Sequence, residues 1–570
     1  MLFEQIIELI NSYTRVLIFP LTFLSFVLLL FFVCFNFRKF KSFFREIKKR
    51  TWWIVLLVIL LALFLRIFIS PHGTLMFEDE GWYMDTAEKV LEADFNYFSG
   101  GIYKSTGWPF IISLSFFFFG KDNLVAHYAS SVLGVLTVFN IFCLSLLLFK
   151  KEKIALWSAF LFSLIPVHIA WSGSAETAVP SVFFVTLALF FSLLYFKQKT
   201  GSLLWLSLFA IVFAAQVRME NYFLLPLFLL GLFIFKVNPF EKDSFKSVFI
   251  KIASVGLILI MSLPNLINNL NLYLFNNWNT IDTGQYAPNW GVSNFIYNWI
   301  RQGSHLLDGE YHPLIFSIFL ILGIIYAIKK NKRALIFLGA WFLIFFFIYF
   351  VSWPGLNPKS RLFINFYPIT VIFAGSGIYF VNNLIKHERF KKILTLILII
   401  VILLSFLPCI GKVIGKINFL HQARMEAEIA HLAAEHLSDD CLIVSNLPVM
   451  ISGVIGSKVI ESDYFLDQMD IDPTPFKTKE CLLFFKDYTC DPGMSFNPKW
   501  QKNYKRIEKD YKLTPFLIYH KDSLAKNRSD LMRGALISAL GKSSRFSHNI
   551  SYDRYYEDSL SDFGFYKIDF

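Results

Sequence analysis

The sequence predicts a mainly α-helical, multi-pass membrane protein with about twelve transmembrane helices and a small C-terminal α/β domain. Composition is the first reason. Of the 570 residues, 55% are hydrophobic and only 17% are charged, whereas soluble domains carry about 25% charged residues. The second reason is a series of apolar runs close to the roughly 20 residues that span a bilayer. The third is the placement of Lys and Arg. Loops with many of these residues alternate along the chain with loops that have few, as expected when successive loops lie on opposite sides of the membrane. The net charge of +12 alone would suggest a nucleic-acid partner, but this placement of the charges in alternating loops argues against one.

Twelve apolar runs are predicted to span the membrane. They lie at 15–36, 52–70, 125–149, 154–171, 179–196, 203–217, 222–235, 249–264, 313–328, 334–352, 363–384 and 393–410. The runs at 203–217 and 222–235 are short, and they are predicted to form a tight re-entering pair. A further run, Gly107 to Phe119, is too short to cross and is predicted to lie at the membrane surface.

Basic clusters predict which loops are cytoplasmic. They lie at 38–50, 150–153, 197–199, 236–251, 329–333 and 386–392. The alternation is unbroken only if 107–119 does not cross. It places the N-terminus, loop 71–124 and everything after about 412 on the outer side of the cell membrane. The first apolar run is too long for a signal peptide and no small-residue cleavage site follows it, so a retained helix is expected.

Three regions follow from these patterns. Residues 1–50 form an N-terminal transmembrane helix with a basic cytoplasmic loop, 51–412 form the central membrane region, and 413–570 form an extracytoplasmic α/β domain. In the last region, His421 to His436 has helical periodicity, while CLIVSN (441–446), CLLFFKDYTC (481–490) and the ending FGFYKIDF are predicted strands. Cys481 and Cys490 are either bridged or free thiols, and the sequence leaves both open.

The first outside loop contains three consecutive carboxylates, Glu78-Asp79-Glu80, followed by an amphipathic helix in WYMDTAEKVLEADF. Like charges this close raise one another's pKa and favour a cation or a proton acceptor. The alternative is that these acids begin the helix, where a negative charge is favourable.

Other charged residues stand at the predicted outer ends of spans, where ionisable groups are functional candidates. Each has a structural alternative. Glu176 could be a helix N-terminal acid. Arg218 and Glu220 could form a local ion pair. Arg361 and Arg66 could be snorkelling anchors.

The order of these motifs resembles the GT-C glycosyltransferases, in the branch with protein O-mannosyltransferases and the lipid A aminoarabinose transferase (glycosyltransferase families 39 and 83). The resemblance covers roughly residues 52–410. It comprises a span ending in Arg66, Asp79-Glu80-x-x-Tyr83, Lys104-x-x-x-x-Pro109 with a short apolar helix, Ser-Gly-Ser-Ala-Glu176, Val-Arg218-Met-Glu220 and Arg361-Leu-x-x-x-x-x-Pro368. His127 stands where family members usually carry an arginine.

The resemblance implies transfer of a single sugar from a polyprenyl-phosphate donor to a protein, lipid or glycan hydroxyl at the extracytoplasmic face. Asp79 corresponds to the catalytic aspartate, with Glu80 as the neighbouring candidate. A base must take the acceptor proton, and positive charge must meet the leaving phosphate. Lys104, Arg218 and Arg361 suit the latter role. Glu176 and Glu220 are candidates for a second acidic, metal or acceptor site. Asp79 with Glu176 could hold Mg²⁺ or Mn²⁺.

Two other functions remain open at this stage. An oligosaccharyltransferase using a polyprenyl-diphosphate donor usually carries a Trp-Trp-Asp-type motif in its outer domain, and none occurs in 413–570. A transporter would share the helices, but no inverted repeat is visible and the ionisable residues cluster in outside loops. Loop 265–312 is predicted to be a mobile cover over the Asp79 cavity. Its Trp278, Trp290 and Trp299 could either anchor the loop at the membrane interface or stack on sugars.

Overall fold

The structure of the chain is a computed structural model. It describes residues 2–70, 72, 78–93, 105–239, 255–256, 258–267, 311–350, 364–417, 437, 441–446, 458–479, 481–486, 490, 498–519 and 563–569. The chain divides into two compact units. One comprises residues 1–72 and 86–413, and the other comprises residues 73–85 and 414–570. The predicted helix at His421 to His436 and the greater part of loop 265–312 lie outside the described residues.

Helices account for the membrane region. In chain order they are α1 (Leu2–Phe35), α2 (Phe37–Arg45), α3 (Lys49–Phe64, continued by a π-helical turn Leu65–Ile69), α4 (Glu78–Leu91), α5 (Gly107–Phe119), α6 (Asn123–Phe149), α7 (Glu152–Ser163), α8 (Pro166–Trp171), α9 (Ala178–Gln198), α10 (Gly201–Val217), a 3-10 turn (Met219–Phe223), α11 (Leu224–Phe235), α12 (Ile258–Ile267), α13 (Leu314–Lys330), α14 (Lys332–Phe350), a 3-10 turn (Ile364–Phe366), α15 (Tyr367–Leu384) and α16 (Glu388–Ile417).

Six of the described helices are long and apolar enough to cross a membrane, and four further apolar helices are shorter. The six are Val16–Phe35, Lys49–Ile69, Asn123–Phe149, Ala178–Gln198, Ile364–Leu384 and Glu388–Ile414. Burial distinguishes them. In α9, 94% of the apolar window is buried, against 28% in the α1 and α3 spans. Because a helix that is apolar on all sides is either buried or faces lipid, α9 belongs to the interior of the bundle.

One local prediction was wrong. Residues 154–171 do not form one continuous span, because α7 ends at Ser163 and α8 begins at Pro166. Proline lacks an N–H, clashes with the preceding turn and pushes its predecessor out of the helical region. Ile165 is accordingly extended. The basic loop before the second span also contains a helix, α2, which buries Phe40 and Phe43.

Glycines allow α13 and α15 to approach closely. A Cβ built on Gly323 would lie 1.7 Å from the Phe373 carbonyl oxygen, and one on Gly377 would lie 2.0 Å from the Phe319 carbonyl oxygen. Both obstacles are backbone, which cannot rotate away. Small residues at such contacts are the usual means of close helix association in membranes.

We therefore expect Gly323→Ala to separate α13 from α15 and lower stability by at least the roughly 1–3 kcal/mol typical of overpacking. The matched control is Gly339→Ala in α14, where a Cβ would meet no atom within 4 Å. Thermal unfolding of the purified chain in detergent compares the two. Equal melting temperatures for both variants would contradict the close packing.

The C-terminal unit contains a five-stranded sheet in the order β2-β1-β3-β5-β4. Its strands are β1 (Leu442–Ser445), β2 (Lys458–Glu461), β3 (Leu482–Lys486), β4 (Lys512–Tyr519) and β5 (Phe563–Asp569). β1 is parallel to β2 and to β3, whereas β5 is antiparallel to β3 and β4. Helices α17 (Ser462–Ile471), α18 (Thr474–Lys477) and α19 (Pro498–Asp510) complete the described part, which confirms the predicted α/β domain and its three strands.

A disulfide joins the starts of two of these strands. Cys481 is bonded to Cys441, with the Cα atoms 4.6 Å apart. A bridge between Cys481 and Cys490 is therefore wrong, and Cys490 carries a buried thiol. The physical reason is the strand pairing: Leu442 lies opposite Leu482, so the cysteines that precede them are neighbours. Their separation falls within the range that a disulfide requires.

Candidate active site

Three separate segments meet at the N-terminal end of α9. Trp108, in the first turn of α5, is fully buried and its indole N–H donates a hydrogen bond to the carbonyl oxygen of Ala175. A Cβ on Gly107 would lie 2.8 Å from the backbone of Gln216 and Val217, at the end of α10. The start of α5, the turn before α9 and the end of α10 are therefore in backbone contact. Glu176 directly follows Ala175 and Arg218 directly follows Val217 in the chain, and Lys104 precedes Gly107 by three residues in the sequence.

Glu176 is buried at the start of α9. Its Oε2 accepts a hydrogen bond from the Ala178 N–H at 2.9 Å, and its own N–H donates to Ser174 Oγ at 3.1 Å. Only 2% of the residue is exposed. A carboxylate here is favoured by the unpaired N–H groups and the positive end of the helix dipole. The described contacts therefore support the structural alternative for Glu176, in which its carboxylate stabilises the N-terminal end of α9.

Arg218 and Glu220 form an ion pair with two hydrogen bonds. Arg218 Nη2 lies 2.8 Å from Glu220 Oε1, and Arg218 Nε lies 3.1 Å from Glu220 Oε2. This fork-to-fork geometry is the strong form of the contact. The Arg218 side chain is 13% exposed and that of Glu220 is 4% exposed. The local ion pair expected as the alternative therefore exists, and it is largely removed from water.

Thr177 connects the two acidic positions. Arg218 Nη1 donates to Thr177 Oγ1 at 3.1 Å, and the same hydroxyl donates to Glu176 Oε2 at 3.4 Å. Arg218 thus contacts Glu220 directly and Glu176 through the Thr177 hydroxyl. Because polar groups buried this deeply polarise one another, displacement of one member is expected to disturb the others.

The site is fixed from the side of α1 and α12 as well. Thr106 is fully buried just before α5. It donates two hydrogen bonds to Asn265 Oδ1, one from its N–H at 3.2 Å and one from its hydroxyl at 3.1 Å. The Thr22 and Thr106 hydroxyls lie 2.9 Å apart. Gln216 Nε2 donates to the Met261 carbonyl oxygen at 3.0 Å. Buried polar contacts of this kind specify one arrangement of the four helices.

Arg66 is not a snorkelling anchor, and that prediction was wrong. It is fully buried, and it donates to the carbonyl oxygens of Ala62 (3.3 Å) and Ser163 (3.2 Å). Its Nη2 lies 3.0 Å from His168 Nδ1. The break at Pro166 leaves the last carbonyls of α7 without helical partners, and a cation is favourable at that helix end. Arg66 therefore joins α3 to the α7–α8 break.

The remaining predicted residues are less completely described. The backbone of Glu78, Asp79 and Glu80 forms the first turn of α4, and Glu80 is fully buried. The side chain of Asp79, and Lys104 and Arg361 entirely, lie outside the description. Within the described residues, no three His, Cys, Asp or Glu side chains are grouped to hold a metal ion. The Asp79–Glu176 metal site stays a prediction.

Sequence reasoning missed Trp108, Thr177 and His168 as members of these networks. Trp108 could have been identified from the sequence, because it follows Lys104 by four residues at the start of a short apolar helix. Thr177 had a weaker one, its position next to Glu176. His168 gave no signal, because its contact with Arg66 depends on the chain break at Pro166.

Two sequence comparisons bear on this region. Residues 104–267 match the family model described as dolichyl-phosphate-mannose-protein mannosyltransferase. That segment includes Lys104, Glu176, Arg218 and Glu220, but not Asp79. A protein of Aquifex aeolicus (strain VF5), described as uncharacterized, is 25% identical over 307 residues. The match spans 52% of this chain and 58% of that protein, so the chain spans little more than half of its relative.

Two solved structures share the fold. ArnT from Cupriavidus metallidurans bound to undecaprenyl phosphate has a TM-score of 0.50 at 12% identity, covering 82% of this chain and 96% of that one. The oligosaccharyltransferase of Archaeoglobus fulgidus in the apo form has a TM-score of 0.51 at 12% identity, covering 78% and 70%. The chain is therefore a multi-pass membrane protein with the GT-C fold. The match of residues 104–267 to the mannosyltransferase family model supports the resemblance found in the sequence.

Proposed function

We propose that this chain is an integral membrane glycosyltransferase that moves a single sugar from a polyprenyl-phosphate donor to a hydroxyl of a protein, lipid or glycan. The main support for this proposal is that one end each of α5, α9 and α10 lies in contact with the others. At this place the side chains of Glu176, Thr177, Arg218 and Glu220 form one buried network. The family match covers the same segment. A protein of the same fold is described as bound to undecaprenyl phosphate.

The chemistry requires a base and a place for the leaving phosphate. Asp79 takes the proton of the acceptor hydroxyl, whose oxygen forms a bond to the anomeric carbon as the bond to the phosphate oxygen breaks. Polyprenyl phosphate then leaves as a stable anion, so a strong general acid is dispensable. Positive charge from Lys104, Arg218 and Arg361 stabilises the phosphate as its charge develops. If a divalent metal participates, Asp79 and Glu176 are its oxygen ligands.

The outer face is the proposed side of the reaction. Lys and Arg are sparse in the loops that hold the site, as expected for loops that are not cytoplasmic. The disulfide between Cys441 and Cys481 supports an outer location for the C-terminal unit, because disulfides persist in oxidising compartments. An outer C-terminal unit is consistent with a role in acceptor choice.

Sidedness can be tested at the end of α5. We expect Lys121→Cys, in the exposed turn between α5 and α6, to react with a membrane-impermeant maleimide added to whole cells. Arg389→Cys, in the predicted cytoplasmic cluster at 386–392, is the control and should react only after the membrane is opened. Labelling of Lys121→Cys solely from the cytoplasm would overturn the topology.

The function itself is tested by mass spectrometry of surface proteins, lipids and glycans. A strain that lacks this chain should lose the mass of one monosaccharide from one class of acceptor. Wild-type chain should restore it. Loss of a whole oligosaccharide would favour the oligosaccharyltransferase alternative, which shares the GT-C fold. An unchanged glycan profile with altered uptake of a solute would favour a transporter.

A further inference from the structure

Four basic segments that are far apart in the sequence lie together at one end of the membrane region. We call them the basic patch, and they are residues 38–50, 150–153, 197–199 and 329–333. They contain sixteen Lys and Arg residues but only two acids, Glu46 and Glu152. An apolar helix, α1, α6, α9 or α13, ends at or beside each segment. The patch therefore lies where these helices leave the hydrocarbon, at the level of the lipid headgroups.

Two side-chain contacts join the first segment to the third. Lys197, at the end of α9, forms an ion pair with Glu46 at 3.0 Å. Lys39, in α2, donates a hydrogen bond to Thr200 Oγ1 at 2.8 Å. Because Thr200 directly precedes α10, these contacts hold α2 against the connection between α9 and α10.

Two further hydrogen bonds join the remaining segments. The N–H of Lys48 donates to Glu152 Oε1 at 3.3 Å, which brings the second segment beside the first. Asn331 Nδ2 donates to the carbonyl oxygen of Leu148 at 2.7 Å. Since Asn331 lies between the basic residues of the fourth segment, that segment adjoins the second.

The positive charge of the patch is largely uncompensated. All sixteen cations are exposed except Lys39, which is half-buried. Among the described residues, Lys197 with Glu46 is the one ion pair within the patch. The Glu152 carboxylate accepts hydrogen bonds from the N–H of Lys48 and from the hydroxyl of Thr51. Gathered charges of one sign produce a field that attracts a partner of opposite charge.

Helix α2 has the form of a helix that lies in the membrane interface. Its Phe40 and Phe43 are buried, and the Phe43 ring lies 5.9 Å from the Phe190 ring of α9. Its Arg38 and Lys41 are exposed. Amphipathic helices with a basic outer face bind membrane surfaces, and clusters of four to eight Lys and Arg beside a transmembrane helix are typical of binding to anionic lipids.

Two lysines of the patch occupy a backbone conformation that usually belongs to glycine. Lys150 and Lys199 end α6 and α9 with φ angles of 54° each. Glycine is the usual residue at such left-handed helix ends, because a side chain there is strained. Orientation in the membrane requires basic loops, but it does not require lysine at these strained positions. Their ammonium groups therefore indicate a use for the charge itself.

We propose that the basic patch binds the headgroups of anionic phospholipids in the leaflet that the charge pattern predicts to be cytoplasmic. The lipid phosphates accept charge-assisted hydrogen bonds from the exposed ammonium and guanidinium groups. The bound lipids hold α2 and the connections between the helices at the headgroup level. This surface uses none of the residues of the candidate active site, so it is independent of the transfer chemistry proposed above.

The test is native mass spectrometry of the full-length chain in a nonionic detergent, with equal amounts of phosphatidylglycerol and phosphatidylcholine. We expect phosphatidylglycerol to bind in clear excess over phosphatidylcholine. The excess should decline as ammonium acetate is raised, because salt screens exposed charges. Equal binding of the two lipids at low salt would overturn the proposal.

A pair of substitutions assigns the binding to the patch without straining the fold. Lys150→Gly with Lys199→Gly removes two charges and places glycine where it is favoured, so the melting temperature should be no lower than that of wild type. The affinity for phosphatidylglycerol should fall by roughly 10-fold to 30-fold, from about fivefold for each basic residue near an anionic surface.

The matched control removes two lysines from the C-terminal unit. Lys477→Ser with Lys479→Ser lowers the net charge by the same amount at exposed positions, and it should bind phosphatidylglycerol as wild type does. If the glycine pair fails to fold, Arg38→Gln with Lys41→Gln tests the same patch. Wild-type affinity in whichever patch variant folds, or an equal loss in the control, would overturn the proposal.

Discussion

Asp79→Asn is expected to abolish sugar transfer while leaving expression and membrane insertion intact. The amide keeps the size of the side chain but cannot accept the proton of the acceptor hydroxyl. Proton transfer by a positioned side chain is typically worth 10²–10⁴ in rate, so turnover should fall by at least about 100-fold. The measurement is transfer from a polyprenyl-phosphate sugar by purified chain, with the acceptor class found by mass spectrometry.

The control for this substitution removes a carboxylate from the same region. Glu92, just after α4, is exposed and lies 2.7 Å from Lys121 and 3.3 Å from Lys89. Hydrogen bonds from Lys121 and Lys89 hold the pKa of Glu92 below its usual value, so it is ionised at neutral pH. Glu92→Gln should leave transfer unchanged.

Two outcomes would assign the base differently. If Asp79→Asn retained more than about a tenth of wild-type turnover, Asp79 would not be the base, because the loss would lie below the usual range for proton transfer. If Glu80→Gln then removed activity, the buried neighbour Glu80 would take that role.

Helix positions were predictable from sequence because they depend on local composition. Apolar runs near 20 residues have few alternatives in a membrane, and α6, α9 and α15 lie close to their predicted bounds. Three of the five described strands of the C-terminal unit, β1, β3 and β5, were also predicted, since short apolar runs rich in β-branched and aromatic residues favour strands. In contrast, α2 was not predicted, because its many basic residues hide the pattern of the two phenylalanines that it buries.

Contacts between distant segments were not predictable to the same degree. The partner of Cys481 depends on parallel pairing of strands 40 residues apart in sequence. The burial of Arg66 depends on carbonyls left without partners at the end of α7. For the candidate site, the sequence supplied Glu176, Arg218 and Glu220 and their structural alternatives. It could not supply Thr177 as the link between them, because that link forms only when α9 and α10 pack.

Variants of the Arg218–Glu220 pair can distinguish a structural role of Arg218 from a role in binding the donor phosphate. Arg218→Met removes the guanidinium that binds the buried Glu220 carboxylate at two points. Breaking a buried pair in this way costs about 3–5 kcal/mol, so a large fall in thermal stability is expected. Replacing both partners with apolar residues is often neutral. Arg218→Met with Glu220→Leu should therefore regain most of the stability lost in the single variant.

Transfer by the stable double variant then decides the role of Arg218. If the guanidinium stabilises the leaving phosphate, kcat should stay reduced by about 10²–10³ even though the fold has recovered, because that is the usual worth of one preorganised electrostatic contact. Arg218→Lys should be intermediate, since it keeps the charge but loses the fork that binds Glu220 at two points. Wild-type kcat and donor KM in the double variant would contradict the phosphate role. Arg218 would then be a structural residue that joins the end of α10 to Thr177 and Glu176, and Lys104 and Arg361 would remain as the candidates for the donor phosphate.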